Sequence, residues 1–557
     1  MPAGCVPDGG LPCLYLPRMF QRWLFPTLLL LTALVLALPV LSVLASWAQW
    51  TPESGQILGE MANTVLPRYT GTTLLLCLCV GVGVALVGTA TATAVTLFEF
   101  PGRQTLSWAL LLPLAMPAYV VAYASTDFLQ FSGPLQSWLR ASFGLEGRVF
   151  PEVRSLGGAV WVFTFALYPY VYLLARTALA ERGSHLMEAA RLLGAPLGRR
   201  IRQVALPLAR PAVAAGVTLA LMETLADFGV VSYFGIQTYT AGIYKAWLAM
   251  DNRLAAAQLA TLLLVVVVVV LRIEHKAQRR MRFVAARGAR AGSSEAQPVV
   301  LRGRHAAVAF TACALPVLLG FVLPVLFMLR PLVLAMADGS PLPWGQFVQW
   351  ALNSVLLGGG SAVLALLLAL LLAFAVRRQA NRLTRGVVAL VGLGYAIPGA
   401  VIVVGLLLPV GWLQTAFPKS GVGYWVTATV LGIVWAYMVR FCAVALQSVQ
   451  SGYARIPASF DDSARMLGIG GGGLLRRVHW PLLQRSAAAA ALLVFVDVMK
   501  ELPATLVLRP FNMDTLAVVA YQLARDERLG EAALPSLALV LVGLLPVLLL
   551  SRTSGKA

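Results

Sequence analysis

Long apolar runs separated by short polar segments recur along the whole chain. Each run is close to the roughly 20 residues that a helix needs to cross a bilayer core of about 30 Å. Six runs precede a polar segment near 273–304 and six follow it, so the pattern predicts twelve membrane-spanning helices. The runs lie near 24–46, 70–98, 105–125, 157–179, 206–234 and 257–272, then near 306–329, 354–376, 386–411, 422–446, 481–508 and 533–551.

The composition agrees with a membrane protein and excludes several other classes. Of the 557 residues, 59% are hydrophobic and 12% are charged, and the mean hydropathy is +0.80. A soluble domain carries about 25% charged residues, so soluble and disordered classes are excluded. The six Cys and four His residues show no spacing typical of a disulfide framework or a zinc site, and no built-in metal site is predicted.

The formal charge of +20 arises mainly from basic segments on one side of the predicted membrane. Segment 175–210 contains seven Arg, 272–304 contains nine Lys or Arg, 377–385 contains four Arg, and 440–485 contains six. The opposite loop 126–156 balances three Arg with three acids. This asymmetry predicts that both termini lie in the cytoplasm. A nucleic-acid partner is not predicted, because no loop supplies a large basic soluble face.

The two series of runs are related by an internal repeat. The segment EAARLLGAPLGRRIRQVALP from Glu188 aligns without gaps to DSARMLGIGGGGLLRRVHWP from Asp462, at an offset of 274 residues.

The first run is too long for a cleaved signal sequence and is predicted to be a retained anchor. The predicted units are a leader at 1–23, a first half at 24–272 with its core from about 68 to 272, a basic cytoplasmic linker at 273–305, a second half at 306–551 with its core from about 353 to 551, and a tail at 552–557. The linker is interpreted as a solvated tether, with contact to anionic lipid as the alternative.

The repeated segment has the features of a short helix. Ser184 is a candidate N-cap, Glu188 follows in the first turns, and Gly194 is expected to end the helix. The small residues between them leave a shallow surface on which another protein could close. An amphipathic helix at the membrane interface is the alternative, and spacing alone does not separate the two.

Four acids recur at the same depth in both halves. Glu223 and Asp227 are predicted to share one face of the fifth span, and Asp497 and Glu501 one face of the eleventh. An ionised carboxylate at the bilayer centre costs about 2.5–3.5 kcal/mol on insertion scales, so these groups must face water or the bundle interior. They are candidates for the lining of a pathway for a cationic solute. The alternative is pairing between helices, with Lys500 as a local partner for Asp497.

Two further features bear on the same pathway. Tyr119 and Tyr123 could narrow it, although packing inside the bundle is the alternative for both residues. Pro117 and Pro398 are expected to break the third span of their halves, which loosens backbone where a cavity can be lined. The chain contains no G-x-x-x-x-G-K-[ST] phosphate loop and no credible catalytic arrangement. It is therefore predicted to be a conduit that is not an enzyme and takes its energy from a partner.

The repeated segment resembles the signature of type I ABC import permeases, which is EAA, three residues, Gly, nine residues and Ile-x-Leu-Pro. In the first copy Val replaces the usual Ile, and the matching residues are Glu188, Ala189, Ala190, Gly194, Val204, Leu206 and Pro207. The second copy departs further, with DDSA in place of EAA and Trp480 before the proline. Its matching residues are Asp462, Ala464, Gly468 and Pro481.

The resemblance implies an all-α membrane protein with about twelve transmembrane helices in two tandem six-helix MetI-like halves, located in a bacterial inner membrane. The EAA segments would be inequivalent coupling helices that dock onto two separate ATPase subunits. Those subunits would use ATP, and this chain would need no cofactor of its own. An extracytoplasmic solute-binding protein would deliver the solute to the outer face.

Longer stretches resemble the fused two-domain ferric-iron permeases of this superfamily. They are PLAMPAYVVAYASTDFLQFSGPLQSWLR at 113–140, LYPYVYLLAR at 167–176 and LARPAVAAGVTLALMETLADFGVVSYFG at 208–235. The resemblance implies ferric iron as the solute. Thiamine, polyamine, sulfate or another small ion remain alternatives, and a proton-coupled secondary transporter is the alternative from a different class.

Overall fold

The fold is known from a computed structural model and is almost entirely helical, as the apolar pattern predicts. Short 3-10 and π turns join the helices, and one two-stranded sheet is present among the described residues. The predicted leader lies outside the described residues up to Pro17, and the first helix begins at Arg18. The structure describes residues 18–48, 52–285, 298–339, 342–469 and 471–554.

The two halves contain helices in the same order. In the first half they are α1 (Arg18–Ala45), α2 (Pro52–Asn63), α3 (Leu66–Leu97), α4 (Arg103–Ala109), α5 (Ala118–Leu129), α6 (Pro134–Phe143), α7 (Leu156–Leu192), α8 (Leu197–Arg200), α9 (Leu206–Ala226), α10 (Gly229–Tyr233), α11 (Tyr239–Tyr244) and α12 (Arg253–Ala285). In the second half they are α13 (Arg304–Val317), α14 (Leu323–Ala337), α15 (Trp344–Arg378), α16 (Arg382–Gly392), α17 (Gly399–Ala416), α18 (Val422–Thr427), α19 (Val430–Tyr453), α20 (Ala458–Met466), α21 (Gly472–Leu474), α22 (Trp480–Lys500), α23 (Pro503–Leu508), α24 (Leu516–Arg525) and α25 (Leu529–Ser554).

The predicted number of spans agrees with the structure. Within the described ranges, eleven helices are long and apolar enough to cross a membrane, and a pair bent by 92° brings the number to twelve. The bend lies at Pro117, between the turn Leu112–Ala115 and α5, and Pro398 separates α16 from α17 at the matching place. The predicted proline breaks are therefore confirmed. Outward-facing side chains such as Leu78 of α3 are largely exposed, as expected for a surface in contact with lipid.

The first helices of each half pack on the other half. Helix α1 contacts α16 and α17, while α14 contacts α5 of the first half. The contact between α1 and α17 is close, because a Cβ at Gly405 would lie 1.9 Å from the Pro39 carbonyl oxygen. Only glycine permits that approach. The first helices of each half therefore pack against the proline-broken span of the other half.

The segment predicted to be a tether is partly ordered. Helix α12 continues to Ala285, well past the end of the sixth apolar run. Beyond the undescribed residues 286–297, strand β2 (Val299–Val300) pairs in parallel with strand β1 (Phe98–Glu99), which follows α3. The start of the second half is thus attached to the first by backbone hydrogen bonds, and a fully solvated tether is the wrong interpretation for these residues.

Candidate functional site

Both repeated segments end in the same backbone motif. Gly194 has φ +77° and Gly468 has φ +75°, a left-handed conformation that favours glycine. The Gly194 N–H donates to the Arg191 carbonyl at 2.9 Å, and the Ala195 N–H donates to the Ala190 carbonyl at 3.0 Å. The same two bonds follow Gly468 in the second half. This is the Schellman helix end, so the predicted helix termination at both glycines is confirmed.

The two segments expose matching surfaces. Glu188 and Ala189 are exposed in the first segment, and the Asp462 side chain is 71% exposed in the second. Ala190 is half-buried and the matching Ala464 is buried. An apolar pair directly before each glycine is between 79% and 89% exposed, which is high for such large side chains. The pairs are Leu192 with Leu193 and Met466 with Leu467.

The segments differ in how they join the preceding span. In the first half the segment is the end of α7, a single helix of 37 residues, and Ser184 lies inside it. The predicted N-cap at Ser184 is therefore wrong. In the second half α19 ends at Tyr453 and a separate helix of nine residues, α20, begins after Pro457. Proline disfavours helical backbone in the residue before it, and the first half has Gly183 at the matching position.

The proline at the end of each repeat follows a π turn. The turns are Ile201–Ala205 and Leu475–His479, and they precede Leu206–Pro207 and Trp480–Pro481 at the 274-residue offset. A proline has no N–H and its ring crowds the carbonyl four residues earlier, so the wider turn avoids that clash. These residues shape the start of α9 and α22, the helices that carry the membrane acids.

All four membrane acids line one cavity of about 580 Å³ between the halves. Glu223 and Asp497 lie near the ends of α9 and α22. Asp227 and Glu501 do not continue those helices, because each has extended backbone directly after the last helical residue. The single helical faces predicted over 206–234 and 481–508 are therefore wrong, although the acids still converge.

Hydrogen bonds from the next short helices explain these breaks. Asp227 Oδ1 accepts from the Val230 N–H at 2.8 Å, at the start of α10. Glu501 accepts from the backbone N–H groups of Ala504 and Thr505, each at 2.9 Å, at the start of α23. A carboxylate that bonds the first N–H groups of a helix stabilises a new helix start and competes with continuation of the old helix.

One arginine of the second half connects the acids of the two halves. Arg440 Nη2 lies 3.9 Å from Glu223 Oε2, and Arg440 Nη1 lies 3.6 Å from Glu501 Oε1. The Arg440 side chain is 9% exposed, and its Nε is buried without a hydrogen-bond partner. The Tyr395 hydroxyl donates to Glu223 Oε1. Glu223 is therefore the most strongly engaged acid of the first half.

The second cation of the cavity is also from the second half. Lys500 Nζ donates to the Leu114 carbonyl at 2.8 Å, across the junction between halves. Asp497 lines the cavity without a hydrogen bond or close ion pair to another described residue. No ion pair within 4 Å joins Lys500 and Asp497, although the charge of Lys500 acts on Asp497 across the cavity.

The two candidate tyrosines have different environments. Tyr119 lines the cavity and its hydroxyl donates to the Lys500 carbonyl at 3.3 Å. Tyr123 is fully buried and lies behind it, with ring centroids 5.7 Å from Tyr119 and 4.6 Å from Tyr233. Arg154 stacks on Tyr233 at 4.7 Å and lines a second cavity of about 450 Å³. Tyr123 is therefore part of an aromatic stack between two cavities and does not line the first.

Sequence reasoning missed Arg440, which was counted among the basic residues of segment 440–485. The structure places it inside α19, facing the cavity. Its position within an apolar run was the available signal, because an ionisable residue inside a span is a functional candidate by default. Tyr395 and Tyr170, which also line the cavity, gave no signal that distinguishes them from packing aromatics. Among the described residues, no group of three or more His, Cys, Asp or Glu side chains could hold a metal ion.

The comparisons with known proteins agree with this architecture. The family described as binding-protein-dependent transport system inner membrane component matches residues 85–283. The chain is 24% identical to the Fe(3+)-transport system permease protein FbpB 2 of Haemophilus influenzae over 467 residues, which is 82% of this chain and 84% of the relative. It is 26% identical to the probable ABC transporter permease protein y4fN of Sinorhizobium fredii over 485 residues, 82% of each chain.

A shorter relative has higher identity. The sulfate transport system permease protein CysT of Escherichia coli is 30% identical over 207 residues, which is 37% of this chain and 72% of the relative. The matched proteins are transport permeases, and the matched family consists of inner membrane components of binding-protein-dependent transport systems. The chain therefore belongs to the family of binding-protein-dependent transport system inner membrane components, as a type I ABC importer permease that carries two fused permease units and is not an enzyme.

Proposed function

We propose that the solute of this importer is ferric iron and that it crosses the membrane through the cavity between the two halves. The observation that carries the proposal is the convergence of Glu223, Asp227, Asp497 and Glu501 on that cavity. The similarity to an Fe(3+)-transport permease over most of both chains supports the same solute.

The charge of the cavity favours a cation over an anion. Four carboxylates face two cations, Arg440 and Lys500, so the fully ionised cavity has an excess of negative charge. Its lining also supplies carboxylate and phenol oxygens, and oxygen ligands suit a hard cation. Conduction also requires that the solute leave, so a lining of single carboxylates suits transit better than a closed metal site.

Sulfate is the second candidate, because the sulfate permeases CysT and CysW of Escherichia coli are 30% and 35% identical over shorter stretches. An anion could use Lys500 and the unpartnered Arg440 Nε. It would have to pass four carboxylates, and that repulsion makes sulfate the weaker proposal.

We further propose that the two coupling segments dock onto two ATPase subunits. Each presents an exposed acid and an exposed apolar pair before its glycine, and two copies suit two partners. The residues proposed for this contact are Glu188, Ala189, Ala190, Gly194, Leu206 and Pro207, with Asp462, Ala464, Gly468 and Pro481 in the second half. The segments would face the cytoplasm together with both termini, in line with the distribution of basic residues.

Uptake by reconstituted vesicles tests the solute. The permease, its ATPase and its solute-binding protein are placed in liposomes with internal ATP, and radioactive ferric iron or radioactive sulfate is offered with the binding protein. We expect ATP-dependent uptake of iron that survives an uncoupler and stops without the ATPase. Sulfate uptake in place of iron uptake would contradict the solute, and uptake that required a proton gradient instead of the ATPase would favour the secondary transporter.

A further inference from the structure

Buried charged and polar side chains attach the second coupling segment, α20, to the neighbouring transmembrane helices. Asp461, in the first turn of α20, accepts from Arg377 Nε at 2.8 Å and from Arg377 Nη2 at 3.3 Å. His479 Nε2 lies 3.0 Å from Asp461 Oδ1, the carboxylate oxygen that also accepts from Arg377 Nη2. His479 is fully buried, and its Nδ1 lies 3.2 Å from the Tyr453 hydroxyl. The end of α15 and the turn before α22 thus meet at one carboxylate, and the end of α19 contacts the same His479.

The first half has an apolar version of the same contact. At the 274-residue offset, Met187 matches Asp461, Ala205 matches His479, and Leu179 matches Tyr453. All three residues of the first half are buried. The first segment needs no special attachment, because it is continuous with α7. The polar group therefore occurs only in the half where the coupling segment is a separate helix.

Arg377 holds α20 in one orientation relative to α15. Arg377 also donates to the Pro457 carbonyl at 3.0 Å, so it binds both the side chain and the start of α20. Burial alone raises the pKa of the Asp461 carboxyl, but hydrogen bonds from Arg377 and His479 and the charge of Arg377 outweigh burial and hold the pKa below its ordinary value. The carboxylate is therefore ionised at neutral pH, and its two-point bond to the guanidinium fixes the orientation of α20.

This attachment leads directly to the cavity. His479 immediately precedes α22, a helix of 21 residues or about 30 Å, which carries Asp497 near its other end and is followed by Glu501. Arg377 lies in the last turn of α15, which packs along α22. A displacement of α20 would therefore move α22 through Asp461 and His479. In the first half the corresponding displacement would pass through the continuous helix α7.

We propose that Arg377, Asp461 and His479 form a polar latch that transmits movement of the second coupling segment to α15 and α22. They are positioning residues, since none of them lines the cavity and their largely buried side chains lie behind the exposed docking surface. Through these contacts the short separate helix α20 moves together with the transmembrane helices, as the coupling segment of the first half does because it is part of α7. The inference rests on the proposed docking of the ATPase on both segments.

The test uses the complete complex of permease, ATPase and binding protein in liposomes. Asp461→Asn keeps the shape of the side chain and removes its charge, and His479→Gln keeps a hydrogen-bonding group. The readouts are co-purification of the ATPase, the rate of ATP hydrolysis, and ferric iron taken up per ATP hydrolysed. Glu152→Gln is the matched control, because it breaks an exposed Arg–Glu pair with Arg148.

We expect both latch variants to retain the ATPase and to hydrolyse ATP, while uptake per ATP falls about tenfold, a value within the usual range of coupling between sites. Asp461→Glu, which restores the charge, should recover part of the loss. Unchanged uptake per ATP would overturn the latch, and so would loss of the ATPase, since that result assigns the residues to the docking surface. If the unaltered complex transports no iron, the solute proposal fails. The latch is then tested by the stimulation of ATP hydrolysis by the binding protein, which the latch variants should lower and which would overturn the latch if unchanged.

Discussion

The two halves contribute equally to the acids of the cavity but unequally to its cations. Glu223 and Asp227 of the first half match Asp497 and Glu501 of the second at a constant offset. Both cations belong to the second half. Arg440 and Lys500 have Ala166 and Ala226 at the matching positions, and these alanines also line the cavity.

The same contrast appears in the packed interior. Tyr437 of the second half donates or accepts a hydrogen bond with Thr505 at 2.7 Å, where the first half has the apolar pair Phe163 and Val231. At these matched positions the first half relies on packing and helix continuity, while the second has buried polar partners. Because buried polar groups are costly when one partner is removed, single substitutions should damage the second half more than matched substitutions in the first.

The largest effect is expected at Arg440. Replacement by Met removes the only cation within 4 Å of Glu223 and Glu501 among the described residues. Breaking a buried ion pair from one side costs about 3–5 kcal/mol, because the remaining charge is left uncompensated. We expect a large drop in the unfolding temperature of the purified protein in detergent.

Two variants make this result specific. Arg148→Met, at an exposed pair, should change the free energy of unfolding by about 0.5 kcal/mol or less. Arg440→Met combined with Glu501→Gln should recover part of the lost stability, since one uncompensated charge is gone. A drop of similar size for Arg148→Met, or none for Arg440→Met, would contradict the difference between the halves.

Matched acids of the two halves should separate transport from stability. Asp497 has no hydrogen bond and no ion pair within 4 Å, and only the more distant charge of Lys500 acts on it. We therefore expect Asp497→Asn to lower the maximum rate of iron uptake about tenfold, which corresponds to about 1.4 kcal/mol in the barrier, while the unfolding temperature changes little. Glu223 interacts with Tyr395 and Arg440, so Glu223→Gln should lower both quantities. Uptake rates and thermal unfolding, measured on the same preparations, check this. Equal loss of stability in both variants would show that Asp497 is a structural partner as well.

These matched positions also define what the sequence could predict. The spans, the proline breaks and the convergence of the acids all follow from periodicity and from the repeat register. The breaks after Ala226 and Lys500 do not, because an acidic residue occurs both inside helices and at helix starts. Only the structure shows that Asp227 and Glu501 bond the next backbone N–H groups and so begin new helices. Hydropathy is averaged over a window, so a span that contains one arginine, such as Arg440, is still recognised as a span. The direction in which the arginine side chain points depends on helix packing and cannot be taken from that average.

The polar latch could have been suspected from the repeat alone. Asp461 and His479 align with the apolar Met187 and Ala205, and two polar replacements near one helix end suggest that they contact each other. The alignment could not show that Arg377 joins them, because Arg377 lies 84 residues before Asp461 in the chain. Only the packing of α15 beside α20 brings the third residue to the site.

The glycine ends of the coupling segments test a smaller difference. A Cβ at Gly194 or Gly468 would meet no atom within 4 Å, so substitution by Val adds only backbone strain. A left-handed conformation costs a residue with a side chain about 1–2 kcal/mol. We expect Gly468→Val to weaken ATPase binding more than Gly194→Val, because α20 has nine residues to resist the strain while α7 has 37. Binding of the purified ATPase measures the ratio, and equal loss would mean that both segments dock as equally rigid units.

The smallest effect on stability is expected when one of two buried tyrosines is replaced by phenylalanine, which removes its hydroxyl oxygen. Tyr437→Phe removes a hydrogen bond to Thr505, which should cost about 1 kcal/mol. Tyr123→Phe removes a buried hydroxyl without a partner, so stability should stay constant or rise slightly. Thermal unfolding of both variants checks the sign of the difference. Destabilisation by Tyr123→Phe would require a partner for its hydroxyl, and the two tyrosines would then depend on buried hydrogen bonds in the same way.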